Sequence, residues 1–255
     1  MVFGSLVAIG IFAGVLLSLR AGRALGERAI GRHGSIGSTI GSLEAAVFAL
    51  LGLLIAFTFS GALTRFDGRR AQVVQEANAI GTAWLRIDLL PAAAQPKLRE
   101  TFRTYVDSRI ATYKKLPDVR AAQQELAHSA ELQQQIWTQA VAALRQPKAQ
   151  PQAEILVIPA LNDMFDITTT RIAATQLHPP GIIYAMLIAL SLVAGLLAGY
   201  QSAGEKGYAW IHKIAFATIV ALTVYVILDI EYPRLGFVRI DAIDHLLVDV
   251  RAGMK

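Results

Sequence analysis

Four stretches of the chain are apolar and free of charge over the length of a bilayer-crossing helix, or nearly so: Val2 to Leu19, Ala45 to Thr64, Pro179 to Gly204 and Ile214 to Leu228. A helix rises 1.5 Å per residue, so about 20 such residues cross a hydrocarbon core about 30 Å thick. The fourth stretch is short, and Tyr208, Trp210 and the aliphatic stem of Lys213 extend it as interfacial anchors. The first does not read as a cleaved leader. A leader carries its positive charge ahead of the apolar run, whereas Arg20, Arg23, Arg28 and Arg32 all follow this one.

Between the second and third stretches, Arg65 to His178 changes character. It is polar, lacks the alternation of strands, and is punctuated by prolines at 91, 96, 117, 147, 151 and 159. The pattern predicts helices near 65–90, 97–115, 118–146 and 152–177, with a hinge at "RQPKAQPQ" (145–152). Ala, Gln, Glu and Leu, all good helix formers, dominate the third of these, and Leu126, Leu132, Ile136 and Leu144 form a partial stripe along it. The Gly/Ser-rich segment "GRHGSIGSTIGS" (31–42) lacks the Gly-Lys-Ser/Thr of a phosphate loop. It reads as a connector, with Ser42 as the N-cap of the second span. "GIFAG" (10–14) and "GLLAG" (195–199) place glycines at i and i+4, a spacing that reads as a helix-packing face within the chain or between subunits.

The expected fold is therefore all-α: a multipass membrane protein with four transmembrane helices and a helical extramembrane block between spans two and three. The expected domains are 1–64 (spans one and two with their connector), 65–178 (helical block), 179–230 (spans three and four) and 231–255 (C-terminal tail).

The stretch "VVQEANAIGTAWLRIDLLP" (73–91) is the most patterned part of the block. Val73, Ala77, Ile80, Trp84 and Ile87 recur at 4, 3, 4, 3, the seam of a helix packed on another helix. Arg65, Arg69, Gln72 and Glu76 form a stripe beside it. Arg69 and Glu76 are two turns apart, too far to pair along one straight helix, so each is expected to find a partner on a neighbouring helix or subunit. Asn78 falls on the other flank, among Val74, Leu85 and Leu89, where a buried amide without a partner costs roughly 1–3 kcal/mol. Arg86 is on the polar side, and Asp88 precedes the Pro91 that ends the helix. These polar groups either fix how helices dock or, in the case of Glu76 or Asn78, face ions in a vestibule. Asp229 and Glu231 at the end of span four admit the same two readings, an ion site or a helix edge, with Arg234 placed for a local salt bridge to Glu231.

Composition sharpens the membrane reading. Hydrophobic residues make up 54% and charged residues 17% of the 255, and the mean hydropathy is +0.46; soluble domains carry about 25% charge. With no cysteine, disulfides, thiolate metal sites and cysteine nucleophiles are excluded. The formal charge of +5 is spread over loops and helix flanks rather than gathered on a face, so no nucleic-acid partner is expected. No histidine pairs with another at i+3 or i+4; His245 among Asp241, Asp244 and Asp249 comes nearest to a metal cluster, and a solvated amphipathic tail explains it equally. No metal, cofactor or enzymatic activity is expected, since no nucleophile motif is present. Arg and Lys near the membrane divide six against six between the two sides, so charge does not set the orientation, although the first span alone favours an outside N-terminus.

"GLLIAFTFSGALTRFDGRRAQVVQEANAIGTAWLRIDLLP" (52–91) and "DIEYPRLGFVRID" (229–241) resemble the signature of the prokaryotic bestrophin-like domain family. The resemblance covers about Gly31 to Asp249 and fits the four-span layout. Bestrophins are pentameric anion channels whose second span lines a neck, and their topology places the middle block in the cytoplasm. The resemblance implies a homo-oligomer in the cell membrane, in a bacterium the inner membrane, in contact with membrane lipid and with inorganic ions. On this sequence the comparable stripe of span two is Leu51, Ile55, Phe59 and Leu63, which the resemblance makes pore-lining candidates. The neighbouring stripe Gly52, Ala56, Ser60 and Thr64 is small and polar, the pattern of close helix packing. The acids at 229, 231, 241, 244 and 249 do not have the spacing of a calcium loop, so calcium gating is not carried over. The resemblance implies an ion channel or pore. The alternative is a non-conducting scaffold or sensor whose helical block binds a partner protein.

Overall fold

The computed structural model describes residues 2–33, 39–204, 210–234 and 236–255. Among them there is no strand. The helices are α1 (Val2–His33), α2 (Thr39–Arg86), α3 (Gln95–Lys114), α4 (Val119–Leu144), α5 (Pro151–Gln176), α6 (Gly181–Gln201), α7 (Trp210–Glu231) and α8 (Asp241–Ala252), with a 3₁₀ turn at Ile87–Leu89. Four helical stretches are long and apolar enough to cross a membrane: Gly4–Arg32, Gly41–Leu89, Pro151–Gln201 and Trp210–Glu231. The third takes in both α5 and α6, of which α6 carries no charge. Tyr208 and residues 34–38 of the Gly/Ser-rich connector lie outside the described residues.

Local sequence accounts for the boundaries. Pro96 and Pro151 sit in the first turns of α3 and α5, where a missing N–H costs nothing. Asp118 caps α4 by accepting the Ala121 N–H at 3.1 Å. Three expectations are corrected. Span two and the first helix of the block are one helix of 48 residues, because nothing between Thr64 and Arg86 stops a helix. At about 72 Å this helix is more than twice the thickness of a hydrocarbon core, so only part of it can lie in a bilayer; Ala45–Thr64 is its uncharged part. Because α2 begins at Thr39, Ser42 lies inside it and is not its cap. Pro159 does not punctuate the chain but sits exposed within α5, where it removes a single ladder bond.

The described residues form two compact units. One comprises residues 1–66 and 178–238; the other comprises residues 67–177 and 239–255. In the first, α1 packs on α6 and α7 around Val15, Leu187, Ala194 and Ala217, all fully buried, with Leu51 of α2 closing the cluster. The α1–α6 crossing depends on glycine. A methyl at Gly22 would collide with the Leu196 carbonyl, and one at Gly199 with the Leu19 carbonyl. The glycines of 195–199 therefore serve packing within the chain, whereas Gly10 meets nothing within 4 Å.

In the second unit, the Val73–Ala77–Ile80–Trp84–Ile87 seam of α2 is the buried face. It packs with Phe102, Tyr105, Ile136, Leu161 and Met164 from α3, α4 and α5. The segment read as a C-terminal tail is helix α8. It docks on α3 through fully buried Leu247 and through Met254, whose carbonyl accepts from Arg103 Nε at 3.1 Å. Its amphipathic pattern is used for packing rather than solvation.

Replacing Gly199 by valine is expected to destabilise the protein by about 1–3 kcal/mol or more, because the obstacle is backbone that cannot turn aside. Thermal unfolding in detergent, compared with Gly10→Val, checks this. Equal midpoints for the two variants would contradict the close crossing.

Candidate functional site

The apolar run of α2 has one covered and one uncovered face. At 100° per residue, Leu51, Leu54, Ile55, Thr58, Ala62, Arg65, Phe66 and Arg69 fall on one side, and all are buried or half-buried. Gly52, Leu53, Ala56, Phe57, Phe59, Ser60, Leu63 and Thr64 fall on the other, and all are exposed in the single chain. The stripe Leu51, Ile55, Phe59, Leu63 is therefore not one face. Successive i+4 steps drift by 40°, so the stripe crosses from the covered side to the open one. Leu51, 3% exposed, belongs to the chain's own core, and Ile55 is half-buried against that core. Phe59 and Leu63 are exposed.

At the end of α7, Glu231 is buried and multiply bonded. Arg65 of α2 donates to both of its oxygens, Nε at 3.0 Å to each and Nη2 at 2.9 Å to Oε2. His178 Nδ1 lies 3.0 Å from Oε1, and the His178 ring stacks on Tyr232 at 4.6 Å. Asp229 accepts the backbone N–H groups of Phe237 and Val238 at 3.0 and 2.7 Å, which fixes the turn after α7. Arg234 is half-buried. The carboxylates at this edge thus bind protein groups.

The third cluster is in the other unit. Glu76 is fully buried on the stripe beside the seam. Arg109 of α3 donates to its Oε1 from Nε at 2.7 Å, and Arg171 of α5 donates to its Oε2 from Nη1. The Arg109 Nη2 also donates to the Tyr113 hydroxyl at 2.7 Å, and the Arg171 guanidinium lies 4.1 Å above the Tyr113 ring. Asp244 of α8 lies 3.7 Å from Arg171. Burial by itself raises the Glu76 carboxyl, but the two guanidiniums outweigh it, so the group sits below the usual carboxylate range and stays ionised. Arg69 does not reach this carboxylate. It donates to the Ala174 and Leu177 carbonyls at 3.1 and 3.2 Å, satisfying the C-terminus of α5.

Other sequence candidates are scattered. Asn78 is exposed, as are Val74 and Leu85 beside it, so the expected buried amide is corrected: the seam leaves that flank in the open. Glu76, by contrast, has no exposed surface with which to face a vestibule within this chain. Arg86 donates to the Leu156 carbonyl at 2.6 Å, and Asp88 pairs with Arg99, whose guanidinium covers Trp84 at 4.3 Å. His245 pairs with the Ala242 carbonyl and lies 3.9 Å from Asp249.

Sequence reasoning missed Arg109, Arg171 and His178. The first two carried a signal. Arg109 follows Leu98, Phe102, Tyr105 and Val106, and Arg171 follows Leu161, Met164 and Thr168, each at the 3–4 spacing of a buried stripe.

The model of the bestrophin-like domain matches residues 9–243. The chain belongs to the bestrophin-like domain family. Its fold is similar to two crystal structures of a bacterial bestrophin homologue from Klebsiella pneumoniae, one a tyrosine-to-alanine and the other a tryptophan-to-alanine variant. The first gives a TM-score of 0.68 at 13% identity, covering 95% of this chain and 99% of that one. The second gives 0.70 at 13% identity, covering 96% and 98%. No curated protein matches the sequence. At this identity the likeness establishes a shared bestrophin-like fold, carried by a chain with four helices long and apolar enough to cross a membrane.

Glu76→Gln is expected to cost about 3–5 kcal/mol, since it leaves two buried guanidiniums facing a neutral group. The pH dependence has a definite sign. The folded-state carboxyl lies below its unfolded value of about 4.3, so its contribution is complete above that pH and is lost as pH falls through the lowered value. Denaturant unfolding against pH should show acid loss in the native protein and a smaller acid slope in Glu76→Gln. Identical slopes would contradict the assignment.

Proposed function

We propose that the chain assembles as a homo-oligomer that conducts ions through the membrane, with the uncovered face of α2 turned towards the axis. The observation that carries this reading is the division of α2. Its apolar run packs one stripe into its own chain and leaves Gly52, Ala56, Phe59, Ser60, Leu63 and Thr64 without cover. Gly52, Ala56 and Ser60 are small enough for copies of the helix to approach closely. The Ser60 and Thr64 hydroxyls lie among apolar side chains that can narrow a path, and an apolar constriction gates by excluding water. Family membership and the bestrophin-like fold support this reading. We place Phe59 and Leu63 at the constriction and assign Ile55 a supporting place behind it.

In this reading α1, α2 up to Thr64, α6 and α7 lie in the cell membrane against lipid. The helical block with α8 lies outside it, where Arg69, Glu76, Arg86 and Asp88 fix helix docking; Asp229 and Glu231 at the end of α7, with Arg234 just after it, fix the helix end and its turn. The ions are small and inorganic, and no catalytic step is proposed.

The test is ion flux in liposomes reconstituted with a size-defined oligomer, with empty vesicles as control. Phe59→Ser should raise flux, and Ser60→Trp should reduce it to the empty-vesicle level. Leu51→Ser should instead lower the unfolding midpoint, because it places a hydroxyl in a packed core. A well-folded oligomer without flux across pH, calcium and voltage would favour a non-conducting scaffold whose helical block binds a partner protein.

A further inference from the structure

A cavity of about 290 Å³ lies wholly within the unit that holds the span-forming helices. Its apolar walls are Leu19 of α1, Phe48 of α2, and Ala198 of α6 with Phe216 of α7; Phe48 and Phe216 meet edge-on with ring centroids 5.3 Å apart. Its polar lining is Ser202, just past the end of α6, and His212 and Lys213 in the first turn of α7. The apolar walls are buried or half-buried, whereas His212 is exposed and Lys213 half-exposed. The Ser202 hydroxyl donates to the Gly199 carbonyl at 2.8 Å, and the basic side chains of the lining are Lys213 and His212. An ammonium has three protons and can hold an anion beside any other partner.

We propose that this cavity binds an anionic phospholipid, with the headgroup phosphate on Lys213 and His212 and the start of an acyl chain between Phe48, Leu19 and Phe216. The argument is complementarity of two kinds in one place. A cation at the end of apolar helices, over a cleft lined by aromatic and aliphatic side chains, matches a negative headgroup joined to hydrocarbon. Basic pockets between membrane helices hold such headgroups. A free phosphate would leave the apolar walls unused, and a zwitterionic lipid would gain less from the ammonium. The site is independent of whether the chain conducts.

The experiment uses the full chain purified in mild detergent and offered phosphatidylglycerol or phosphatidylcholine, with bound lipid read by native mass spectrometry. Phosphatidylglycerol should be retained in preference. Lys213→Gln should reduce its retention about fivefold, at an unchanged unfolding midpoint. Ala198→Leu, which fills the apolar wall and keeps the charge, should also reduce it; Lys213→Gln alone decides should that variant fail to fold. Equal retention of the two lipids, or no change in Lys213→Gln, would overturn the proposal. Displacement of the lipid by inorganic phosphate would mark a simple anion site and overturn it equally.

Discussion

One carboxylate organises the charged half of this protein. Glu76 has no exposed surface, yet stays ionised because Arg109 and Arg171 reach it from two other helices. Removing any of these three charges from water is costly on its own, and the cost is offset only when all three are brought together with good geometry. That requirement ties α2, α3 and α5 to a common register, with α8 joined through Asp244. An all-apolar seam tolerates sliding by a turn; a buried ion cluster does not, because a shifted guanidinium has no second carboxylate to meet. The seam from Val73 to Ile87 supplies burial, and Glu76 fixes its alignment.

The same logic recurs at the end of α7, where Glu231 gathers Arg65 from α2 and His178 from the segment before α6. In both places an acid on one helix gathers polar partners from elements distant in sequence. The unit built from α1, α6 and α7 is held differently. Its α1–α6 crossing rests on backbone approach at Gly22 and Gly199, the means available where lipid removes the hydrophobic advantage of burying larger side chains.

Much of this was legible in the sequence, and the parts that were not share a cause. Uncharged length marked the spans, and the 4-3-4-3 spacing marked the buried face of α2. The distance between Arg69 and Glu76 implied partners elsewhere, and both have them. The identity of those partners was not legible, because a local pattern says which side of a helix is buried and not which long-range residue arrives there. Arg109 and Arg171 were overlooked although they sit on apolar stripes, since an arginine there reads as an interruption until its counter-ion is known. Asn78 was misplaced because the flank carrying Val74 and Leu85 is apolar and still open. The stripe through Leu51 and Leu63 is not one face of the helix: 40° of drift per step, over three steps, carries a line of residues from the core to the open side.

The chain has no cysteine, so single cysteines can be placed on α2 without altering a background. The most direct measurement is the reaction of such cysteines with a water-soluble, membrane-impermeant thiol reagent in the reconstituted oligomer. The account predicts reaction at positions 60 and 64 and protection at 51 and 62. Protection at all four, in an intact oligomer, would mean that the uncovered face meets lipid or a dry contact, and would contradict a water path along α2.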